Sequence, residues 1–241
     1  VLPNEDGDKI CQILRIAPPK GTPASANNGS GAQKFGSSHG KLYRQSIEEC
    51  GFVGQEHVIF SLLQSLLAKP FALLTGNSGT GKTKLAELLA TWLRGSENGG
   101  YALVAVGADW TDNRNVVGFV NYLRAGGDEK TPVYQSTPVL DLLLRASESP
   151  SLPFFLILDE MNLSHVERYF ADFLSAMEAR DGIIRLHTEG PADAEDFRLP
   201  RFEDDETGVP RELPYPKNLF VIGTVNVDET TYMFSPKILD R

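Results

Sequence analysis

Cysteine is scarce in this chain: Cys11 and Cys50 are the only two among 241 residues, and neither belongs to a C-x-x-C pair. That argues against a disulfide framework or a cysteine zinc site and fits a reducing compartment. His39, His57, His165 and His187 are equally sparse and lack the spacing of metal ligands. No apolar run approaches the roughly 20 residues of a bilayer-spanning helix, and no charged-then-apolar leader precedes the first elements. Neither membrane insertion nor export is indicated, and a cytoplasmic location is expected. Positive charge is also in deficit, with 23 Lys and Arg against 32 Asp and Glu, a formal net charge of −9. The surface as a whole does not advertise nucleic-acid binding, although a local basic patch is compatible with it.

What is present suits a globular domain, with 41% hydrophobic and 23% charged residues and length for one substantial core. The chain starts at Val1 without an initiator Met, which leads us to expect a piece of a longer protein. Residues 1–45 include "APPKGTPASANNGSGAQKFGSSHG", a Pro, Gly, Ser and Asn-rich stretch that cannot bury enough surface to offset its ordering entropy. We expect a connector there, with "ICQILRIA" as a strand of an upstream domain. Order is expected to begin at the Ser46–Glu49 capping pattern, opening a domain over 46–241.

Within that domain, helices alternate with short apolar strands. "QEHVIFSLLQSLLAKP" carries a helical stripe of Val58, Ile59, Leu62, Leu63 and Leu66, closed by Pro70. "KTKLAELLATWLRG" places Leu85, Leu88, Leu89 and Trp92 on one face, with Gly95 as its C-cap. "FALLTG", "YALVAVGA", "PFFLILDE" and "LFVIGTVN" read as four buried strands. "FVNYL" and "PVYQ" read as a hairpin, and Thr137 with Pro138 opens the helix "TPVLDLLLRASE". "HVERYFADFLSAMEAR" is expected as one helix packing Val166, Phe170, Phe173 and Met177, and "EGPADAEDFRLPRFEDDETGVPRELPYPK" as a loop or insertion. The crossovers are long enough for parallel pairing, so the expected class is α/β with a covered, mostly parallel sheet.

Three stretches carry chemistry. "GNSGTGKT", Gly76 to Thr83, satisfies G-x-x-x-x-G-K-[ST] between a buried strand and an amphipathic helix. Gly76, Gly79 and Gly81 let the backbone wrap a phosphate, and the helix turns its positive end to the same anion. Lys82 brings a full charge to the terminal phosphates and Thr83 a hydroxyl to Mg²⁺. "FFLILDE" delivers Asp159 at a strand end to hold Mg²⁺, and Glu160 to polarise an attacking water. "FVIGTVN" ends in Asn226, whose amide could orient water and report on the γ-phosphate.

Taken in this order, the stretches resemble the AAA+ ATPases over about residues 46–241. The resemblance implies a three-layer αβα P-loop NTPase, with Lys82 and Thr83 in Walker A, Asp159 and Glu160 in Walker B, and Asn226 as sensor 1. It implies a nucleotide held by Gly76, Asn77, Ser78, Gly79, Thr80, Gly81, Lys82, Thr83 and Lys84, with Val53 and Gly54 of "FVGQE" beside the base. The hairpin inside "VVGFVNYLRAGGDEKTPVYQSTPVL" resembles the helix-2 insert of the MoxR, dynein and McrB groups. "LDEMNLSHVERYFADFLSAMEARDG" and "GTVNVDETTYMFSPKILDR" look most like McrB-related motors of modification-dependent restriction. Such a relative would form a ring, expected to be a hexamer, and drive DNA translocation for a partner nuclease. The alternatives are a MoxR-like or dynein-like protein remodeller, or a nucleotide-gated scaffold with little turnover. The McrB signature has Asp-Arg after its Asn, whereas "NVDET" has no Arg, so ATP is expected and GTP is the alternative. Arg241 of "LDR" falls where the family's arginine reaches a neighbouring subunit's γ-phosphate. The template continues with a fifth strand and a helical lid, so truncation before both is expected, together with poor stability and little turnover for the piece alone.

Overall fold

The computed structural model describes residues 56–94, 99–125, 132–191, 193–194, 196–202, 205–227 and 234. The expected connector, the Ser46 cap and the Gly95 C-cap lie outside the described residues.

In chain order, α1 (Glu56–Ala68) leads into β1 (Phe71–Gly76), and α2 (Lys82–Arg94) into β2 (Tyr101–Ala105). A short α3 (Arg114–Val117) precedes the hairpin strands β3 (Phe119–Ala125) and β4 (Pro132–Gln135). Then come α4 (Pro138–Glu148), β5 (Phe154–Asp159), a 3-10 turn (Met161–Leu163), α5 (Val166–Tyr169) and α6 (Ala171–Glu178). Four short strands follow, β6 (Ile183–Arg185), β7 (Arg198–Leu199), β8 (Val209–Pro210) and β9 (Glu212–Pro214), before the long β10 (Leu219–Asn226).

The four expected strands form one sheet in the order β1-β10-β5-β2, with every neighbouring pair parallel, but β2 at the end of that order is not fully buried as expected, since Leu103 is 41% exposed. Strands covered on both faces read as continuous apolar runs, and the two-residue period sorts their side chains between two cores. Phe155, Ile157, Phe220 and Ile222 face α1 and α2, packing on Leu62, Leu66, Leu85 and Leu89. Phe154, Leu156, Leu158, Leu219 and Val221 face the other way, toward Val139, Leu140 and Leu143 of α4. The result is the three-layer αβα arrangement that the alternating pattern predicts.

Turn chemistry fixes α4 at both ends. Thr137 caps it by accepting from Leu140 N at 3.2 Å, with Pro138 in the first turn. At the other end the buried Asn218 amide donates to Ala146 O, Ser149 O and Leu152 O at 3.0, 2.9 and 2.8 Å. Phe154 N in turn donates to the Asn218 backbone carbonyl at 2.9 Å, so one residue, through its side chain and its backbone, holds the helix end against the start of two strands.

Two expectations are corrected. The stretch 165–180 is not one helix: α5 and α6 are separated at Phe170, whose φ is −117°. Tyr169 and Phe170 are both fully buried at the junction. The break buries both, with Phe170 stacked on Phe173 at 4.7 Å and Tyr169 Oη donating to Met161 O at 2.8 Å. The acidic stretch 189–217 is also not simply a loop, since β7 pairs with β8 and β9 returns to pair with β6. Arg201 supplies the order there, reaching Asp205 Oδ2 at 2.8 Å and Asp141 Oδ1 at 3.1 Å on α4. Burial of Asp205 alone would raise its pKa. Hydrogen bonds from Arg201, Gly208 and Thr207 outweigh that and hold the carboxyl well below the ordinary range.

Asn218→Ala should destabilise the fold by about 2–3 kcal/mol, because buried carbonyls lose their donor. Urea denaturation measures this, and an unchanged midpoint would contradict the role given to the amide.

Candidate functional site

Parallel register brings the chemically useful residues to one edge. Gly76 lies directly opposite Asn226 across β1 and β10, and Ala105 opposite Asp159 across β2 and β5. The carboxyl ends of β1, β10 and β5 therefore open together, as ligand sites of open α/β sheets do.

From Gly76 the chain crosses to α2 through an exposed loop, Asn77 to Thr80. Gly79 and Gly81 have φ of 76° and 81°, values that side-chain-bearing residues rarely adopt. Thr80 Oγ1 closes the turn on Asn77 O at 2.9 Å. The half-buried Lys82 ammonium donates to Gly76 O at 3.0 Å, Asn77 O at 2.7 Å and Asn226 Oδ1 at 2.9 Å. Lys84 points elsewhere along the helix, its Nζ 3.5 Å from Glu87 Oε2. A cation framed by loop backbone, at the positive end of a 13-residue helix, suits an anion of high charge density.

Beside Lys82, Thr83 Oγ1 donates to Asp159 Oδ1 at 2.5 Å. The same carboxylate oxygen accepts from Thr224 Oγ1 at 2.7 Å. Among the described residues no group of three His, Cys, Asp or Glu could hold a metal by itself. A hydroxyl and a carboxylate suit Mg²⁺, a hard ion that is held by few protein oxygens and otherwise by phosphates and water.

Glu160 follows at the solvent edge. Its Oε1 accepts from Asn226 Nδ2 at 3.0 Å, so the Asn226 amide touches Lys82 with one end and Glu160 with the other. The four residues Lys82, Thr83, Asp159 and Glu160, and with them Asn226, are thus brought into one hydrogen-bonded cluster. Val53, Gly54 and Arg241 lie outside the described residues.

Sequence reasoning missed Thr224 and Asn162. Thr224 is 1% exposed, receives Glu160 N at 2.9 Å and donates to Asp159. Its signal was available: a polar residue inside an apolar strand, two before Asn226 and so on the same face. Asn162 is 3% exposed and pairs with the Asn226 backbone, donating to its carbonyl at 2.9 Å and accepting from its N–H at 3.4 Å. Only the pairing of β10 with β5 reveals that neighbourhood.

Lys82→Ala should weaken Mg–ATP binding by about 10- to 150-fold, the worth of a hydrogen bond to a charged group. Titration with a fluorescent ATP analogue reads this, and undiminished affinity would contradict the assignment of the loop.

No curated protein matches the chain. A solved structure of a candidate ATPase from Cytophaga hutchinsonii is similar, at 20% identity and a TM-score of 0.48, over 85% of this chain and 51% of that one. The chain therefore spans about half the length of that protein. The family model for the AAA domain of the dynein-related subfamily matches residues 72–241, a range that includes the phosphate loop, Asp159, Glu160 and Asn226. With the sheet order and the strand-edge cluster in place, the chain belongs to the AAA domain family, dynein-related subfamily, and is a P-loop NTPase.

Proposed function

We propose that this domain binds and hydrolyses ATP as one subunit of a ring-forming AAA motor. The observation that carries the reading is the chain Lys82–Asn226–Glu160, set beside the Thr83–Asp159 pair. Walker A, Walker B and sensor positions meet there within hydrogen-bonding reach.

Residues Gly76 to Lys84 bind the phosphates, and Lys82 exchanges loop carbonyls for phosphate oxygens of much higher charge density. Thr83 and Asp159 would hold Mg²⁺, which supplies charge neutralisation of the polyphosphate. Glu160, exposed at the strand edge, accepts a proton from the attacking water, while Asn226 Nδ2 orients its carboxylate. Val53 and Gly54 border the base, and Arg241 acts on the phosphate held by the adjacent subunit, where a planar, permanently charged guanidinium suits developing charge.

For the work done, the reading is an McrB-like motor that moves DNA for a partner nuclease in a hexameric ring. It is supported by "LDEMNLSHVERYFADFLSAMEARDG" and "GTVNVDETTYMFSPKILDR". The second reading, a protein remodeller, is favoured by the dynein-related subfamily match. Duplex DNA should stimulate turnover under the first reading. Stimulation by polypeptide alone would replace it with the second.

Glu160→Gln should keep nucleotide affinity and lower kcat by about 10²- to 10⁴-fold, the worth of a positioned general base. Phosphate release by the full-length protein measures this, and turnover surviving the change would overturn the assignment. Arg241→Ala should cost about 10³-fold or more. Mixing Arg241→Ala subunits with Lys82→Ala subunits should restore turnover above either alone, because each supplies what its neighbour lacks. A mixture no more active than its parts would contradict an arginine acting between subunits.

A further inference from the structure

The conformation of Glu160 sets the problem. It is the one non-glycine residue with positive φ among the described residues, at φ 53° and ψ 46°. A left-handed backbone at a residue with a side chain costs about 1–3 kcal/mol and persists only where surrounding contacts over-determine it. The contacts that do so come largely from β10.

We propose that Thr224 and Asn162 are positioning residues for hydrolysis, tying the sensor strand to the turn that carries Glu160. This inference rests on the reading of Glu160 as the carboxylate that activates water. The Thr224 hydroxyl uses both of its capacities, accepting from Glu160 N at 2.9 Å and donating to Asp159 Oδ1 at 2.7 Å. A single oxygen thereby sets the spacing between two successive acids with different tasks. Asn162, two residues past Glu160, clamps the Asn226 backbone from both sides, donating at 2.9 Å and accepting at 3.4 Å. The Asn226 side chain then meets the Glu160 carboxylate at 3.0 Å, which closes the loop of contacts. Gly223 adds to the fit, because a Cβ there would stand 2.5 Å from Met161 Sδ, so its bare backbone leaves room for Met161 to pack on β10. Movement of the β10 end, where Lys82 also touches Asn226, therefore displaces Glu160 with it.

The test uses the full-length protein with Thr224→Val, Thr224→Ser, Asn162→Ala and Glu160→Gln, and reads kcat alongside Mg–ATP affinity. Thr224→Val keeps shape but removes the hydroxyl, and should lower kcat by about 10- to 100-fold, as loss of an outer orienting contact does. Affinity should stay within about threefold, well under one decade of binding constant. Thr224→Ser should recover most of the lost rate. In a Glu160→Gln background, Thr224→Val should take away little more, since residues acting through one group are non-additive. Wild-type kcat in Thr224→Val, failure of Thr224→Ser to recover, or a fully additive loss would overturn the proposal. If thermal melting shows Thr224→Val unfolded, Asn162→Ala decides, with the same fall in kcat at kept affinity expected and an unchanged kcat overturning it. Full turnover by Glu160→Gln alone would instead refute the underlying reading of Glu160, a distinguishable result.

Discussion

Insertion of β10 between β1 and β5, parallel to both, is the constraint on which the site depends. Gly76 and Asn226 sit opposite each other because six consecutive residue pairs are in register along β1 and β10. A one-residue slip would turn every side chain of β10 to the other face. Ile222 and Phe220 would leave the core under α1 and α2, and Asn226 would no longer face Lys82. The hydrophobic cores on the two faces therefore enforce the geometry of polar atoms that contribute little to the cores themselves.

The polar cluster is compact because its atoms are shared. Asp159 Oδ1 accepts from Thr83 on α2 and from Thr224 on β10, so one carboxylate oxygen joins three elements. Asn226 likewise joins the phosphate loop to Glu160. Charge-assisted hydrogen bonds of this kind are stronger than neutral ones, and a partly buried setting weakens solvent competition. A cation leaving Asn226 for a phosphate would alter the same amide that restrains Glu160. On the proposed reading, nucleotide binding and the placement of the Glu160 carboxylate would be joined through this one amide.

Much of this was legible in the residues. The phosphate loop declares itself through glycines that tolerate positive φ, flanked by an apolar strand and a helix. The central strands β5 and β10 are readable because burial on both faces demands uninterrupted apolar runs, while β2 carries the same apolar pattern with Leu103 41% exposed. Asp159, Glu160 and Asn226 follow from their places at strand ends. Other features depend on tertiary competition that local patterns do not encode. The break at Phe170 leaves no mark in the apolar pattern, which runs on through Val166, Phe170 and Phe173 as one helix would. The order in 189–217 comes from Arg201 reaching Asp205 and the distant Asp141 on α4. Thr224 and Asn162 needed the strand register before their neighbours could be named.

On the proposed reading, these strand ends assemble a nucleoside triphosphate site in which Lys82, Asn226 and Glu160 respond to the terminal phosphate. A structure of the full-length protein with Mg²⁺ and a non-hydrolysable ATP analogue tests it most directly. The phosphates should lie within the 76–84 loop, with Lys82 moved from the Gly76 and Asn77 carbonyls onto them and Thr83 and Asp159 beside the metal. Phosphates bound away from that loop, or Lys82 still seated on its carbonyls, would contradict it.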